Sequence, residues 1–217
     1  MIEGLAVWIG PEAVLLTSAC PLTTLSSAVC GGGLVSARAI VNLHVALDDP
    51  CTDPPSMFGA YVRAQDAPEP YVGLLTGAWT ERATVGEEHG AGIRTIAVAT
   101  VGLSNRVAAG RAPVTEWTHG TINTIVVVDA NPEPAALVNA IVTATEVKAL
   151  VLQDHDVHDA TGRVVSGTSS DAIVIAATGR GPRVRFGGPV SELGWSVARA
   201  AGVALEAGIR GWLERNP

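Results

Sequence analysis

Short β-branched and apolar runs, each bounded by glycine, proline or polar turn residues, dominate the first two thirds of the chain. They predict strands over residues 3–9, 13–17, 39–47, 84–88, 93–101, 121–129 and 171–177. His89-Gly90-Ala91-Gly92 separates two of these runs and reads as a hairpin connection, so that pair is expected to be antiparallel. Ile125-Val126-Val127-Val128 has no polar alternation, which predicts a strand covered on both faces. Helical spacing takes over at 54–65, 134–152 and 191–214. The middle helix follows Asn131 and a pair of prolines, and it repeats Leu137, Ile141, Ala144, Val147 and Val151 along one face. Asn139, Thr143 and Glu146 form a second, polar stripe, for which solvent is the commoner neighbour. The expected fold class is α+β: a layered sandwich of mixed, largely antiparallel sheets flanked by the helices after Pro134 and Ser191.

Composition narrows the class. A chain of 217 residues suits one well-cored domain, 1–217. Hydrophobic residues make up 47%, yet no run approaches the roughly 18 consecutive apolar residues of a membrane helix, so no membrane partner is expected. Met1-Ile2-Glu3-Gly4 carries an acid where a secretory leader carries positive charge. Cys20, Cys30 and Cys51 are odd in number and lack CxxC spacing, and they read as small core residues in a reducing compartment. The expected location is the cytoplasm. Acids outnumber bases 21 to 14, a net charge of -7, and no basic cluster with interleaved aromatics is present, so nucleic acid is not an expected partner. Abundant Ala, Val and Gly beside only two Phe and two Tyr predict closely approaching layers.

Candidate chemistry centres on His119-Gly120-Thr121-Ile122-Asn123-Thr124. Gly120 would let a substrate carbonyl approach the backbone beside the Thr121 hydroxyl. Asn123, two residues along the same strand face, could donate to a developing oxyanion, and His119 is a candidate base. By spacing alone, Thr and Asn at a strand start are more often ordinary turn and edge residues. Ser166-Gly167-Thr168-Ser169-Ser170-Asp171 is a hydroxyl-rich loop that could bind an anion, with an Asp able to orient a catalytic group. Gly31-Gly32-Gly33 could cradle a ligand with backbone amides but lacks both the Walker and the dinucleotide-binding endings. Asp154-His155-Asp156-Val157-His158-Asp159 has metal-ligand composition without a matching distant ligand set, and no metal is expected.

Leu25-Ser26-Ser27-Ala28 with Gly31-Gly32-Gly33, Val101-Gly102-Leu103-Ser104-Asn105, Gly120-Thr121-Ile122-Asn123, Thr143-Ala144-Thr145-Glu146-Val147-Lys148, Gly167-Thr168-Ser169-Ser170-Asp171 and Glu192-Leu193-Gly194 occur in that order. Together they resemble the adenosylcobinamide amidohydrolase (CbiZ) family over most of the chain. Ser169-Ser170 departs from that family's more glycine-containing run, and Val190 stands where a histidine often precedes the Glu-Leu-Gly. The resemblance implies hydrolysis of the amide joining aminopropanol to a corrin propionate, releasing adenosylcobyric acid in corrinoid salvage. The cobalt would arrive with this small-molecule substrate, and no cofactor of the enzyme's own is implied. A fainter similarity, carried by Gly120-Thr121, the following apolar strand and helix and the Ser-Ser-Asp loop, is to the β-aminopeptidase and ornithine acetyltransferase group. That group uses a Ser or Thr after a Gly as nucleophile, exposed by self-cleavage.

On these grounds Thr121, or a water beside it, is the expected nucleophile, with Asn105 and Asn123 as oxyanion or positioning donors. Asp171, Glu146 and His119 compete for proton transfer. Ser27, Gly32, Gly33, Asn42, Thr168, Ser169 and Ser170 are expected to line the substrate site. A corrinoid-binding protein without catalysis and an acyltransferase with a Thr nucleophile are the competing readings, and self-cleavage before Thr121 and homo-oligomer formation are left open.

Overall fold

The computed structural model describes residues 2–114 and 120–216. Its chain runs β1 (Leu5–Ile9), β2 (Ala13–Ser26), β3 (Gly33–His44), α1 (Pro54–Ala64), β4 (Tyr71–Thr76), β5 (Thr84–Glu88), β6 (Thr95–Val101), β7 (Arg106–Val107), β8 (Ile122–Val128), β9 (Asn131–Pro132), α2 (Pro134–Asp154), β10 (Gly167–Thr168), β11 (Ala172–Ala177), β12 (Arg183–Val184) and α3 (Glu192–Arg215). Seven strands lie in the order β4-β3-β2-β11-β8-β6-β5, with β1 added alongside β2. All pair antiparallel except β3 with β4 and β8 with β11. The β5–β6 hairpin pairs as the glycine-rich connection predicts, Glu88 opposite Thr95.

This single hydrogen-bonded path folds over on itself. Its hinge is β2, whose register against β3 shifts between Thr17 and Leu22. A bulge bends and twists its strand, so the first half of β2 lies between β1 and β3 while residues 23–26 lie between β3 and β11. Val14, Leu16, Ile40, Val72 and Leu74 from one half then pack in one cluster with Ile96, Val98, Ile125, Val127, Val174 and Ala176 from the other. In a flat sheet β3 and β8 would lie roughly 14 Å apart, three strand spacings. Instead, Asn42 of β3 and Asn123 of β8 share a 2.8 Å hydrogen bond.

Helices close both outer faces. Val126 and Val128 of β8, with Ala97, Ala99 and Ile175, point away from the sandwich interior into Leu137, Ala140 and Ala144 of α2 and Val197 and Ala201 of α3. That is why the run 125–128 has no polar member: alternate residues enter two different apolar layers. On the opposite side Phe58, Tyr61 and Val62 of α1 cover Ala13 and Val41. Helix α1 starts on Asp53, whose carboxylate accepts from Ser56 N at 3.3 Å, and α3 starts on Ser191, whose Oγ accepts from Gly194 N at 3.1 Å. By length and composition α2 could cross a membrane; here its Ala136, Leu137, Ala140 and Ala144 edge lies in the core.

The expected α+β layered sandwich is therefore what forms, with its two layers of strands belonging to one continuous sheet. Strands β2 and β3 are longer than the β-branched runs that announce them, and β4 was not expected at all. Gly73 interrupts its run Tyr71-Val72-Gly73-Leu74-Leu75-Thr76, and a side chain there would meet the Phe58 ring at 2.7 Å.

Small residues set the layer spacing. Helix α3 crosses β5 so closely that a Cβ on Gly86 would collide with Ala200 O, and Thr84 Oγ1 donates to Ala204 O at 2.6 Å. Gly86→Val is expected to destabilise the protein by about 1–3 kcal/mol through this overpacking, measured by urea unfolding. Gly188→Ala, which meets nothing within 4 Å, should change stability by less than about 0.5 kcal/mol.

Candidate active site

Because β8 and β11 run parallel and begin at the same end, the segments that lead into them, Gly120-Thr121 and Ser170-Asp171, arrive side by side. Asn123, fully buried, sits opposite Ala172 on one flank and Thr100 on the other. Its carboxamide is saturated. Nδ2 donates to Asn42 Oδ1 and to Leu75 O, both at 2.8 Å, while Oδ1 accepts from Thr121 Oγ1 and from Ala172 N, both at 3.2 Å. Asn42 Nδ2 in turn donates to Thr100 Oγ1 at 2.9 Å. With both N–H groups engaged, Asn123 joins the two halves of the sheet and has no donor left for an oxyanion. The Thr121 hydroxyl also lies 2.8 Å from Ser170 O.

Asp171 anchors the same corner. Its carboxylate accepts from Ile122 N at 2.9 Å, from Thr168 N at 3.1 Å, from the Thr168 hydroxyl and from Lys148 Nζ of α2. The Lys148 and Asp171 side chains are only 14% and 15% exposed, so this ion pair is shielded from solvent. A side chain at Gly167 would strike the Asp171 carboxylate and Lys148. Around Gly120, Ser170 Oγ donates to its carbonyl at 3.2 Å, and a Cβ there would overlap Ser104 Oγ and lie 2.9 Å from Asn105 Oδ1. Asn105 Nδ2 donates to Ser169 Oγ at 2.6 Å.

Two clefts flank the Gly120-Thr121 segment. One, of about 330 Å³, is walled by Gly120, Ser104, Trp79, Arg82, Trp212 and Arg215. The other, of about 250 Å³, contains Thr121, Ser170, Asp171, Ser27, Leu75 and Cys51. Cys51 is the competing nucleophile on that wall, but burial and the neighbouring Asp49 carboxylate push its thiol up to about 11. At neutral pH it is therefore protonated, and the thiol is not the reactive form.

The structure brings together Thr121, Asn123, Asn42, Asn105, Ser27, Thr168, Ser169, Ser170 and Asp171 at one end of the sandwich. It does not bring Gly32 and Gly33 there. They turn the chain from β2 into β3, where a Cβ on Gly32 would collide with Ala28 O and Gly33 adopts φ +86°, and they line neither cleft. Glu146 is exposed on α2 and likewise lines neither cleft, whereas Thr143 of the same polar stripe is buried with its hydroxyl on Gly187 O at 3.1 Å. His119 lies outside the described residues. Sequence reasoning gave no role to Lys148 or Thr100, and it missed the β4 carbonyl of Leu75. Lys148 follows Glu146 by two positions and so leaves the helix on a different side, which the polar-stripe reading overlooked. In the 154–159 segment, Asp159 Oδ1 accepts from Thr161 N at 2.8 Å and from Arg163 N at 3.1 Å, and His158 Nδ1 lies 2.7 Å from Asp156 O. Among the described residues, no three His, Cys, Asp or Glu side chains converge as a metal site.

A hydroxyl, a backbone-held carboxylate and a set of carboxamides around a close-approach glycine are the equipment of acyl-transfer hydrolysis. Residues 6–217 match the adenosylcobinamide amidohydrolase (CbiZ) family, and the chain belongs to that family of amide hydrolases. No curated protein matches the chain. Among solved structures, a Pyrococcus horikoshii OT3 protein overlaps 95% of this chain and 83% of its own at 11% identity and TM-score 0.47. A Burkholderia β-aminopeptidase overlaps 94% and 79% at 13% identity and TM-score 0.47. The Ochrobactrum anthropi L-aminopeptidase D-Ala-esterase/amidase overlaps 95% and 83% at 13% identity and TM-score 0.41.

Two expectations follow from this geometry. Asn123→Ala orphans Asn42 and the Leu75 carbonyl in the interior, and should lower stability by about 1–3 kcal/mol for each group left unpaired, read as a urea midpoint shift. Iodoacetamide at pH 8 should label exposed Cys20 well ahead of Cys51; peptide mass mapping that finds Cys51 labelled first would refute its protonated state.

Proposed function

We propose that this enzyme hydrolyses the amide joining aminopropanol to the propionate side chain of adenosylcobinamide, yielding adenosylcobyric acid. Membership of the family supports the amide hydrolysis, and one observation carries the mechanism. The Thr121 hydroxyl sits in a cleft wall between Asn123 Oδ1 and Ser170 O, with the Asp171 carboxylate in the same cleft.

In this reading Thr121 Oγ1 attacks the amide carbon. The C–N bond breaks as an ester forms on Thr121, the amine departs carrying a proton, and water then splits the ester to release the carboxylic acid. The hydroxyl proton passes through a water to the Thr168 hydroxyl, which hands its own proton to Asp171, and returns the same way to the leaving amine, while Lys148 holds the carboxylate in place. Asn105 Nδ2, which donates to Ser169 Oγ in the resting site, turns to donate to the oxyanion. Asn123 and Asn42 fix the angle of the Thr121 hydroxyl without touching substrate, and Ser27, Thr168, Ser169 and Ser170 shape the mouth of the site. The cobalt belongs to the substrate and takes no part in this sequence of bonds.

Incubation of the purified protein with adenosylcobinamide should give adenosylcobyric acid and free aminopropanol in equal amounts, detected by mass spectrometry. Recovery of unchanged adenosylcobinamide from a folded protein would overturn the assignment.

A further inference from the structure

The end of the sandwich opposite Thr121 holds a larger cavity that amide hydrolysis does not use. Strands β8 and β11 run parallel, so the segments that leave them, 129–130 and 178–180, emerge together at that end. With the turn that leads into α3 they enclose about 730 Å³, a volume that suits a small organic ligand.

The wall of this cavity is basic in an acidic chain. Arg180, Arg183 and Arg185 line it against the carboxylates of Asp129 and Glu192. Asp129, its side chain only 9% exposed, accepts from Arg180 Nε at 2.6 Å, from Arg94 Nη2 at 2.9 Å and from Thr178 Oγ1 at 2.9 Å. Two guanidiniums on one shielded carboxylate leave a positive charge over. Arg183 is matched by Glu133 at 3.3 Å, and Arg185 lies 5.7 Å from the centre of the Phe186 ring. Among the described residues, the wall and its partners thus set four guanidiniums against three carboxylates, a surplus of one. Arg180 is pinned, with Nη2 on Glu3 O at 3.1 Å, yet its side chain stays 44% exposed. A guanidinium has more N–H groups than these two contacts use, so Arg180 keeps donors for an oxyanion.

The rest of the wall is apolar. Ile93, Ala130 and Val184 line it with Phe186 and Val190, which are 66% and 97% exposed. Hydrocarbon laid over these side chains would remove apolar surface from water. The pairing of a fixed guanidinium with an exposed apolar wall fits a ligand charged at one end and apolar at the other, and a surplus of one charge matches a monoanion.

We propose that this cavity binds an amphipathic monocarboxylate, with the carboxylate on Arg180 and the hydrocarbon across Phe186 and Val190. The site lies at the other end of the sandwich from Thr121 and does not rest on the amidohydrolase reading.

The test titrates the full chain by calorimetry with octanoate, acetate, octan-1-ol and octyl phosphate. Octanoate should saturate at one per chain and bind at least about tenfold more tightly than acetate, which lacks the chain, or octan-1-ol, which lacks the charge. Octyl phosphate, largely a dianion at about pH 8, should bind no more tightly than octanoate. Arg180→Gln leaves Arg94 on Asp129 and should weaken octanoate about tenfold. Val190→Asp, at an exposed side chain, should weaken it to a similar degree by placing a carboxylate beside the hydrocarbon, and it keeps the test decisive if Arg180→Gln loses the fold by circular dichroism. Acetate or octan-1-ol binding as tightly as octanoate, tighter binding of octyl phosphate, no saturation, or unchanged affinity in folded Val190→Asp would each overturn the site. Adenosylcobinamide turnover by Val190→Asp should match the wild type, so failure of this site and failure of the proposed hydrolysis are read separately.

Discussion

The hydrogen bond between Asn42 and Asn123 crosses the interior of the sandwich and ties β3 to β8, strands that the sheet's own connectivity keeps three spacings apart. An unpaired carboxamide in such an interior costs free energy comparable to a lost core side chain, so the network stabilises only when complete. Here it is complete: Thr100, Leu75 and Ala172 supply the remaining partners from β6, β4 and β11. Five strands must therefore be in correct register before Asn123 can present Oδ1 to the Thr121 hydroxyl. The bulge in β2 makes this meeting geometrically available, and the apolar cluster between the two halves of the sheet holds it closed.

Around this bond the chain uses glycine to bring polar groups closer than side chains would allow. Gly120 accepts the approach of Ser104 and Asn105, and Gly167 that of Asp171 and Lys148. The parallel pairing of β8 and β11 matters equally, since it alone makes two segments about fifty residues apart enter the sheet side by side. Hydroxyl, carboxylate and carboxamide are thus set by the framework of the sandwich.

Much of this arrangement could be read from the chain beforehand. The apolar run 125–128 announced a strand covered on both faces, and Gly120-Thr121 at its entrance lies beside Ser170-Asp171, although by spacing alone that pair is more often an ordinary strand start. What could not be read was anything that depends on the fold-over. Leu75 and Thr100 matter through a carbonyl and a hydroxyl that meet Asn123 and Asn42 only after the sheet bends, and no local pattern encodes that meeting. Strand β4 was hidden by Gly73, kept small by the Phe58 ring. At the glycine loop the structure shows a turn at Gly32 and Gly33, and the composition of a tight turn is also that of a ligand cradle.

The central claim is that the interior network exists to aim the Thr121 hydroxyl at an amide. The most direct measurement compares adenosylcobinamide turnover by Thr121→Ala and Thr121→Ser with the wild type, with unfolding midpoints recorded for all three. The account predicts a loss of at least about a thousandfold for alanine, well beyond a single weakened contact, and substantial turnover for serine, which retains the hydroxyl. Full turnover by a folded Thr121→Ala protein would contradict it.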